Sequence, residues 1–217
     1  MTGVAAKNGA VRYYVINLRD FAEDRYGSVD DYPYGGGPGM ILMASPILKA
    51  VESARSADEG PDAPVVLLSP CGPVFDQAKA HELATKKKIV FICGRYKGVD
   101  ERVRELVVTE NISIGDYILS GGELAALVVT DAIVRCLPGV LGDSRSGETD
   151  SFSAEREFCL DAAYYTRPPE FRGLAVPEVL LSGNHARIAE WRTESARERT
   201  RRFRPELLSK MRNRGTN

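Results

Sequence analysis

Short apolar runs alternate with amphipathic segments over the first 140 residues, and this alternation constrains the fold more than any other feature of the chain. Val65–Leu68 and Ile89–Cys93 have the length and composition of buried strands, and a segment of helical periodicity follows each of them. The strands and helices predicted in this region are, in order, 65–68, 77–86, 89–93, 100–107, 111–114 and 123–137. Alternation of this kind predicts an α/β fold, in which helices cover both faces of a parallel sheet.

Three further segments precede the alternating region. Val11–Leu18 has the composition of a strand, and residues 22–40 are polar and glycine-rich with no sustained period. Ser45 and Pro46 are typical of an N-cap and a first helical turn, and helical spacing continues from them to Ala54. We therefore predict a strand, a long loop and an amphipathic helix.

The second part of the chain has a different pattern. At 217 residues the chain can form one large domain, or a medium domain with a small one. After Pro138 comes a segment rich in Gly, Ser, Asp and Glu, and beyond it a helix is predicted from about His185 to Arg204. We predict an α/β domain over 1–141, an interdomain linker over 142–154 and a helical domain over 155–217.

Composition and cysteine spacing exclude several classes of protein. Hydrophobic residues make up 43% of the chain and charged residues 27%, as in ordinary globular proteins. The longest apolar stretches are far shorter than a bilayer span, and no charged-then-apolar leader precedes them, so we expect a cytoplasmic protein without membrane association. The four cysteines lie far apart with no CxxC pair, which predicts reduced thiols and no metal site.

Charge is distributed unevenly along the chain. Residues 185–217 hold ten Lys or Arg and four Asp or Glu, so this tail carries +6, whereas the formal net charge of the whole chain is −1. A basic surface of this kind can neutralise phosphates and bind nucleic acid in a salt-dependent way. A solvated amphipathic helix has the same composition, and charge alone does not separate the two interpretations.

Three glycine-containing loops follow predicted strands. They are Ser69–Gly72, Gly94–Gly98 and Ser113–Glu123. Open α/β sheets bind ligands at the carboxyl ends of their strands, so the three loops together predict one shared pocket. None of the loops has the pattern of an ATP-binding or a dinucleotide-binding loop. Any single loop could instead owe its glycine to a turn that requires positive φ.

Four motifs occur together and in order, and they identify a family. They are Tyr34-Gly-Gly-Gly-Pro-Gly-Met40, Cys93-Gly-Arg-Tyr96, the Ser113–Glu123 run and Ser182-Gly-Asn-His185. Over essentially its full length the chain resembles tRNA (guanine-N1)-methyltransferases. The resemblance implies the SPOUT class, whose parallel sheet ends in a trefoil knot and is joined to a small helical domain. It also implies a homodimer that transfers a methyl group from S-adenosyl-L-methionine to N1 of guanine 37 in tRNA.

The resemblance also implies a set of residues that bind S-adenosyl-L-methionine. Backbone groups exposed by the glycines can bind the adenine edge, and apolar side chains can enclose its ring. The positions that match the family's pocket are Leu67, Leu68, Ser69, Pro70, Gly94, Tyr96, Ser113, Ile114, Gly115, Asp116, Tyr117, Ile118, Leu119, Gly121 and Gly122.

Two further matches concern the chemistry. Methylating guanine N1 requires a base that removes its proton and a cation that stabilises the negative charge growing on the oxygen at position 6. The resemblance gives these roles to Asp150 and Arg135. A carboxylate lies on the order of five pKa units below guanine N1, a gap of roughly 7 kcal/mol, so Arg135 must assist Asp150. Without the resemblance, a turn-capping aspartate and a helix-end arginine would be the preferred interpretations.

The tRNA is expected to contact a further group of residues, because its guanine must leave the anticodon-loop stack to react. Tyrosines such as Tyr34 and Tyr165 also occur as ordinary core or surface residues, and His185 is equally suited to cap a helix. The positions that match the family's tRNA contacts are Asp30, Tyr34, Asp161, Tyr165, Asn184 and His185.

The chain departs from the family in three places. Met1–Asn8 matches sequence about twenty residues into its relatives, so the first strand and helix of the family are not seen and a sheet edge is expected to lie unpaired. Lys97 stands where the family has Glu, which puts in doubt a contact to the cofactor and any Mg²⁺ beside it. Tyr164 stands where His is common.

Two other functions remain open from sequence. The first is an RNA-binding homologue with lost or impaired turnover, which Lys97 and the missing strand would favour. The second is a SPOUT methyltransferase that acts on a different RNA. Binding of S-adenosyl-L-methionine separates the first from an active enzyme, and methylation of a guanine-37 but not an adenine-37 transcript excludes the second.

Overall fold

A computed structural model describes residues 1–56, 63–142, 149–153, 156 and 158–214, and the chain forms two compact units, 1–140 and 141–217. Unit 1 also contains a short 3-10 helix at Leu18–Phe21. Its other elements are α1 (Thr2–Lys7), β1 (Asp30–Asp31), β2 (Ile41–Leu42), α2 (Ala44–Ser56), β3 (Val65–Leu68), α3 (Gln77–Ala84), β4 (Val90–Cys93), α4 (Glu101–Leu106), β5 (Glu110–Ile112) and α5 (Glu123–Arg135).

A three-stranded parallel sheet forms the centre of unit 1, with strand order β4-β3-β5. All four residues of β3 are buried, because this strand lies between its neighbours and has helices on both faces. The start of β3 is fixed by Thr109, whose hydroxyl accepts a hydrogen bond from Val65 N at 2.9 Å. The predicted parallel sheet is confirmed, and β3 is the continuous apolar run expected of such a strand.

Helices cover both faces of this sheet, as predicted. Residues of α2 and α4, among them Ile47 and Val103, pack on the face that carries Val65 and Leu67. The opposite face is covered by α3 and α5, whose buried residues in this layer are Ala80, Leu83, Ala125, Val129 and Ile133. Each layer buries one stripe of an amphipathic helix against the sheet, which is the main source of stability in this architecture.

Side-chain caps set the starts of two helices. The Asp76 carboxylate accepts a hydrogen bond from Lys79 N at 3.0 Å and begins α3. Asp100 accepts one from Arg102 N at 3.0 Å and begins α4. Such caps satisfy N–H groups that have no partner within the helix.

The prediction of a strand at Val11–Leu18 is wrong. Residues 11–17 are outside any ladder formed by the described residues, and Val15 in this segment is 98% exposed. The chain then enters the 3-10 helix, because the Asn17 side chain accepts a hydrogen bond from Arg19 N at 3.2 Å. Composition favours a strand here, but a strand also needs hydrogen bonds to a neighbouring backbone. The predicted long loop over 22–40 contains β1, which pairs with β2 directly after the loop.

Unit 2 is mainly helical in the residues that the structure describes. A hairpin of β6 (Glu170–Phe171) and β7 (Leu174–Ala175) precedes α6 (Glu178–Leu181), α7 (His185–Phe203) and α8 (Pro205–Arg214). The long helix predicted from His185 is confirmed, and it ends directly before Arg204 and Pro205. Within the described ranges no helix combines the length and apolarity that a membrane span requires.

Candidate active site

The carboxyl ends of β3, β4 and β5 lie side by side and bring the three glycine loops together. Leu68 pairs with Cys93 on one side and with Ile112 on the other. Backbone hydrogen bonds then join the loops themselves, from Ser69 N to the Ile112 carbonyl at 3.0 Å and from Gly122 N to the Gly94 carbonyl at 2.8 Å. The sequence predicted one pocket at this edge, and the three loops do converge there.

Gly72 lies where the first loop crosses the backbone of β5. A methyl group at this position would stand 2.5 Å from Ile112 N and still closer to the carbonyl of Asn111. The loop continues alongside the same chain, where Ser113 N donates to the Pro73 carbonyl at 3.0 Å. The close approach of two main chains requires glycine here.

The third loop folds back over the end of β4 in the same way. A methyl group on Gly122 would lie 2.8 Å from the Cα of Cys93. The adjoining Glu123 accepts a hydrogen bond from Arg95 Nε at 3.0 Å and so ties the third loop to the second. Its own backbone N–H, and then Arg95, hold the pKa of the Glu123 carboxyl below the ordinary value, against desolvation that raises it.

The second and third loops expose aromatic and apolar side chains. Tyr96, Tyr117 and Ile118 are all more than half exposed, and Tyr96 has a left-handed backbone with φ of 57°. The Tyr117 hydroxyl donates to the Ile114 carbonyl at 3.1 Å, which holds its ring across Gly115. Such a surface of main-chain polar groups and flat apolar side chains suits a nucleoside.

Leu67 and Leu68 are placed differently from the exposed loop residues. The side chain of Leu67 is buried in the core on one face of the sheet, and that of Leu68 is buried on the other. At the carboxyl edge they therefore offer mainly backbone groups. Ile114 and Leu119 are only partly buried against the core that contains Leu68.

Lys97 joins the second loop to the 34–40 loop. Its backbone N–H donates to the Met40 carbonyl at 3.1 Å, and its Cγ lies 3.0 Å from where a side chain on Gly39 would begin. Tyr34, at the start of the same loop, is fully exposed. The positive charge of Lys97 in the second loop does not fit a Mg²⁺ site. The described residues contain no group of three acidic, His or Cys side chains able to hold a metal.

Arg135, the proposed cation, is the last residue of α5. It lies on a cavity of about 560 Å³ in the groove between α3 and α5. The lining of this cavity is mixed, with aliphatic side chains beside polar ones. The residues that line it are Gln77, Leu127, Val128, Asp131, Ala132 and Arg135.

Asp150, the proposed base, is an exposed residue of unit 2. Its neighbour Thr149 accepts a hydrogen bond at its carbonyl from Arg156 Nε at 3.2 Å. On the other side, Ser151 Oγ accepts one from Asp161 N at 2.9 Å. Arg135 and Asp150 belong to different units, so their pairing stays a prediction. Sequence reasoning missed Arg156, whose only signal is a cation among the acidic residues that follow Asp150.

A second cavity, of about 430 Å³, lies within unit 2. The Arg192 guanidinium stands 5.8 Å from the ring centre of Tyr164, and the Tyr165 and Trp191 rings are 6.2 Å apart. Aromatic walls beside guanidinium groups suit a nucleobase and its phosphate. The residues that line the cavity are Ala163, Tyr164, Tyr165, Thr166, Arg167, Pro169, Val176, Leu180, Leu181, Ile188 and Arg192.

The other predicted tRNA residues have clear structural positions. Asn184 is the N-cap of α7, where its side chain accepts a hydrogen bond from Arg187 N at 3.2 Å. His185 is therefore the first residue of that helix and not its cap. Asp161 is about 15% exposed and lies in a network that includes Arg156 and Tyr164. Asp30 belongs to β1 in unit 1.

Comparisons with known proteins agree with one another. Residues 1–210 match the profile of the family described as tRNA (Guanine-1)-methyltransferase TrmD. A tRNA (guanine-N(1)-)-methyltransferase of Dehalococcoides mccartyi is 52% identical over 207 residues, covering 95% of this chain and 82% of the relative. Proteins of the same name from Geobacter metallireducens and Anoxybacillus flavithermus are each 52% identical, over 206 and 204 residues, and 82% of each is covered, as are 95% and 94% of this chain.

Proposed function

The chain belongs to the tRNA (guanine-1)-methyltransferase family, and from this premise we propose that it transfers a methyl group from S-adenosyl-L-methionine to N1 of guanine 37 in tRNA. The observation that carries the proposal is the convergence of three glycine loops at the carboxyl edge of the sheet, joined main chain to main chain. We also propose that unit 1 forms the trefoil knot of the SPOUT class. The close crossings at Gly72 and Gly122 support it.

S-adenosyl-L-methionine would be held by these loops. Their glycines expose N–H and C=O groups that suit the adenine edge, and Tyr96, Ile114 and Leu119 offer apolar surface to the ring. When bound, this cofactor supplies a methyl group on a sulfonium centre that is open to attack by a ring nitrogen. The loops would orient that methyl group towards the guanine.

Asp150 and Arg135 would carry the proton and charge chemistry. Asp150 would accept the proton of guanine N1, and Arg135 would face the oxygen at position 6 as negative charge grows there. Both side chains have part of their surface open to solvent, as groups that meet an incoming base must have. Stabilisation of the charge by Arg135 would offset the roughly 7 kcal/mol that separates a carboxylate from guanine N1.

Unit 2 would hold the anticodon loop. Its helix α7 carries six of the ten Lys or Arg residues of the basic tail, and the cavity beside Tyr164 and Tyr165 offers aromatic walls with Arg167 and Arg192. Phosphate contacts would come from the arginines, and an unstacked base would enter the cavity. In unit 1, Asp30 and Tyr34 are the candidates for contact with the target guanine.

We propose a homodimer that uses the outer face of α5. Leu124, Leu127 and Val128 are each more than half exposed on this helix, and Leu127 and Val128 also line the 560 Å³ cavity. A contiguous apolar patch of this kind marks an interaction surface. Two copies meeting there would form an isologous contact, the commonest arrangement in homo-oligomers.

A single-turnover methyl-transfer assay tests the function. The purified chain, in excess over a tRNA transcript carrying guanine at position 37, is mixed with saturating tritiated S-adenosyl-L-methionine. We expect transfer to that transcript and none to one with adenine at 37, and we expect Asp150→Asn and Arg135→Gln to lower the rate at least a hundredfold. Full activity in either variant would remove that residue's role, and methylation of the adenine transcript would favour a different RNA target.

The binding-module alternative has its own readout. Calorimetry with S-adenosyl-L-methionine is expected to give heat at submillimolar concentration. No heat at millimolar ligand, combined with tight tRNA binding, would show an RNA-binding homologue without turnover.

A further inference from the structure

Asp150 belongs to a ring of contacts that links the residues on either side of it. Arg156 uses Nε to donate to the Thr149 carbonyl at 3.2 Å and Nη2 to form an ion pair with Asp161 Oδ1 at 3.1 Å. Asp161 N in turn donates to Ser151 Oγ at 2.9 Å. These contacts run from Thr149 through Arg156 and Asp161 to Ser151, and the main chain through Asp150 completes the ring.

The Asp161 end of this ring is fixed to α7. Its carbonyl accepts a hydrogen bond from Arg199 Nε at 3.2 Å. The adjoining Leu160 N donates at 3.1 Å to the hydroxyl of Thr200, which is fully buried. Contacts to a long helix make Asp161 a firm support, whereas Asp150 itself is exposed in a polar segment.

The carboxylate of Asp161 is already occupied by partners within unit 2. One oxygen accepts from Arg156 and from Ala162 N at 2.7 Å, and the other accepts from the Tyr164 hydroxyl at 2.6 Å. The bond to Asp161 is also the main reason that the pKa of Tyr164 is raised. The Arg156 and Asp161 side chains are only 17% and 15% exposed, so water weakens their attraction less than at the surface.

We propose that the Arg156–Asp161 ion pair is a clamp that positions the Asp150 carboxylate for proton removal from guanine N1. Asp161 is then a positioning residue and not a direct tRNA ligand. The proposal rests on the function proposed above, in which Asp150 is the base. A base misplaced by about 1 Å can cost on the order of a hundredfold in rate, so a clamp of this kind has a measurable effect.

Single-turnover kinetics on the full chain test the clamp. Arg156→Met and Asp161→Asn are each expected to lower the rate constant for methyl transfer tenfold or more, with less than a twofold change in the enzyme concentration at which that rate constant is half-maximal. Arg156→Lys should recover only part of the rate, because one ammonium cannot reproduce both contacts of the guanidinium. The double variant should be no slower than the slower single variant, since each change opens the same ring.

The pH profile separates positioning from a general structural defect. As pH rises towards the pKa of guanine N1, the nucleobase loses its proton without help, so a misplaced base matters less. The deficit of the clamp variants should therefore shrink with rising pH. A variant that is partly unfolded or binds tRNA poorly would keep the same deficit at every pH.

Lys79→Met is the matched control in unit 1. Lys79 is 23% exposed and forms ion pairs with Glu110 at 2.6 Å and Glu82 at 2.8 Å, so its loss removes a comparable half-buried pair. It is expected to leave the methyl-transfer rate unchanged. Thermal unfolding of every variant records whether it is folded at the assay temperature.

Three results would contradict the clamp, and they differ in meaning. If Asp150→Asn is inactive but the clamp variants have wild-type rates, or are defective only in tRNA binding, the clamp alone is overturned. Full activity of Asp150→Asn overturns both the base assignment and the clamp. A wild-type chain without any methyl transfer overturns the proposed function, and the clamp falls with it.

Discussion

Gly72 illustrates how a single residue can control the site at the sheet edge. Its backbone approaches Asn111 and Ile112 so closely that any side chain must move β5 or the loop. We expect Gly72→Ala to destabilise unit 1 by about 1–3 kcal/mol and to weaken S-adenosyl-L-methionine binding. Urea unfolding and calorimetry measure the two effects.

Gly3→Ala is the control for that substitution. Gly3 lies in α1 with no atom within 4 Å of the position of a new methyl group. There alanine should stabilise the chain by roughly 0.5–1 kcal/mol through helix propensity. Equal effects of the two substitutions would show that the crossing at Gly72 is not tight.

The cysteines should differ sharply in reactivity. Burial, and then the charge of Glu123, raise the pKa of Cys93 from 9.0 to about 11, whereas Cys71 is exposed in the first loop. Because the thiolate is the reactive form, iodoacetamide at pH 8 should label Cys71 at least tenfold faster than Cys93. Mass spectrometry of the labelled peptides measures the two rates.

Ligand protection connects this labelling to the proposed pocket. S-adenosylhomocysteine should slow the labelling of Cys71, which directly follows Ser69 and Pro70, the two residues of the first loop that the ligand is proposed to contact. Unchanged labelling of Cys71 at saturating ligand would place the cofactor away from that loop.

Glu123 should make stability depend on pH in the acid range. Its folded pKa is lowered, so its carboxylate stabilises the fold above the unfolded pKa, and this contribution is lost as pH falls through the folded pKa. At pH 7, Glu123→Gln should cost about 0.5–1 kcal/mol, a small value because the pair with Arg95 is half exposed. Urea unfolding should show the difference fading as pH falls below 4.5, the ordinary pKa of this carboxyl, while Glu52→Gln on α2 changes little at any pH.

Sequence reasoning at this scale located the loops but not the contacts on either side of Asp150. The glycines after β3, β4 and β5 could be grouped because parallel strands end at one edge. Arg156 could not be found, because its role depends on the folded positions of Thr149 and Asp161. Contacts of that kind leave no periodicity in the sequence.

Helix α5 exposes three large apolar side chains, Leu124, Leu127 and Val128. If two copies meet there, Leu127→Lys places a charge in the interface, and the chain should sediment as a monomer with a Kd raised at least a hundredfold. Leu127 is 62% exposed in the single chain, so the substitution should not unfold it. Leu106→Lys on α4, also an exposed leucine, should leave the oligomeric state as it is.

Sequence patterns predicted strands correctly where those strands are buried in the sheet. The strands over 65–68 and 89–93 could be predicted because β3 is buried between two layers of helices and β4 (Val90–Cys93) beside it is largely covered. Val11–Leu18 has a similar composition but lacks a paired neighbour among the described residues, so apolar content alone was misleading there. The β6–β7 hairpin has only two residues in each strand, too few for a period to appear.

The whole molecule separates its charge between a basic tail and a more acidic remainder. If α7 binds the tRNA backbone, affinity should fall steeply with salt, and Arg197→Gln with Arg201→Gln should reduce the slope of log K against log salt by about 1–2. Filter binding from 50 to 300 mM salt measures this slope. The paired change Lys86→Gln with Lys87→Gln in unit 1 removes the same charge and should leave the slope unaltered.

At this scale, the trefoil knot, the dimer and the tRNA target came from resemblance and not from pattern. Alternation of strands and helices predicts layers, yet it contains no information on which loop passes behind which strand. The change of pattern near Pro138 lies close to the boundary between the two compact units at residue 140. Residues 143–148 and 154 of the predicted linker lie outside the described residues.

The main-chain hydrogen bonds between the three loops also bear on how the site could be blocked by a drug. A compound that binds chiefly to the peptide groups of Ser69–Gly72 and Ser113–Gly122 would contact atoms that every amino acid carries. Resistance usually arises when a side chain is exchanged, and at Gly72 and Gly122 an exchange disturbs the crossing of two backbones. Few substitutions would therefore release such an inhibitor without also damaging the enzyme.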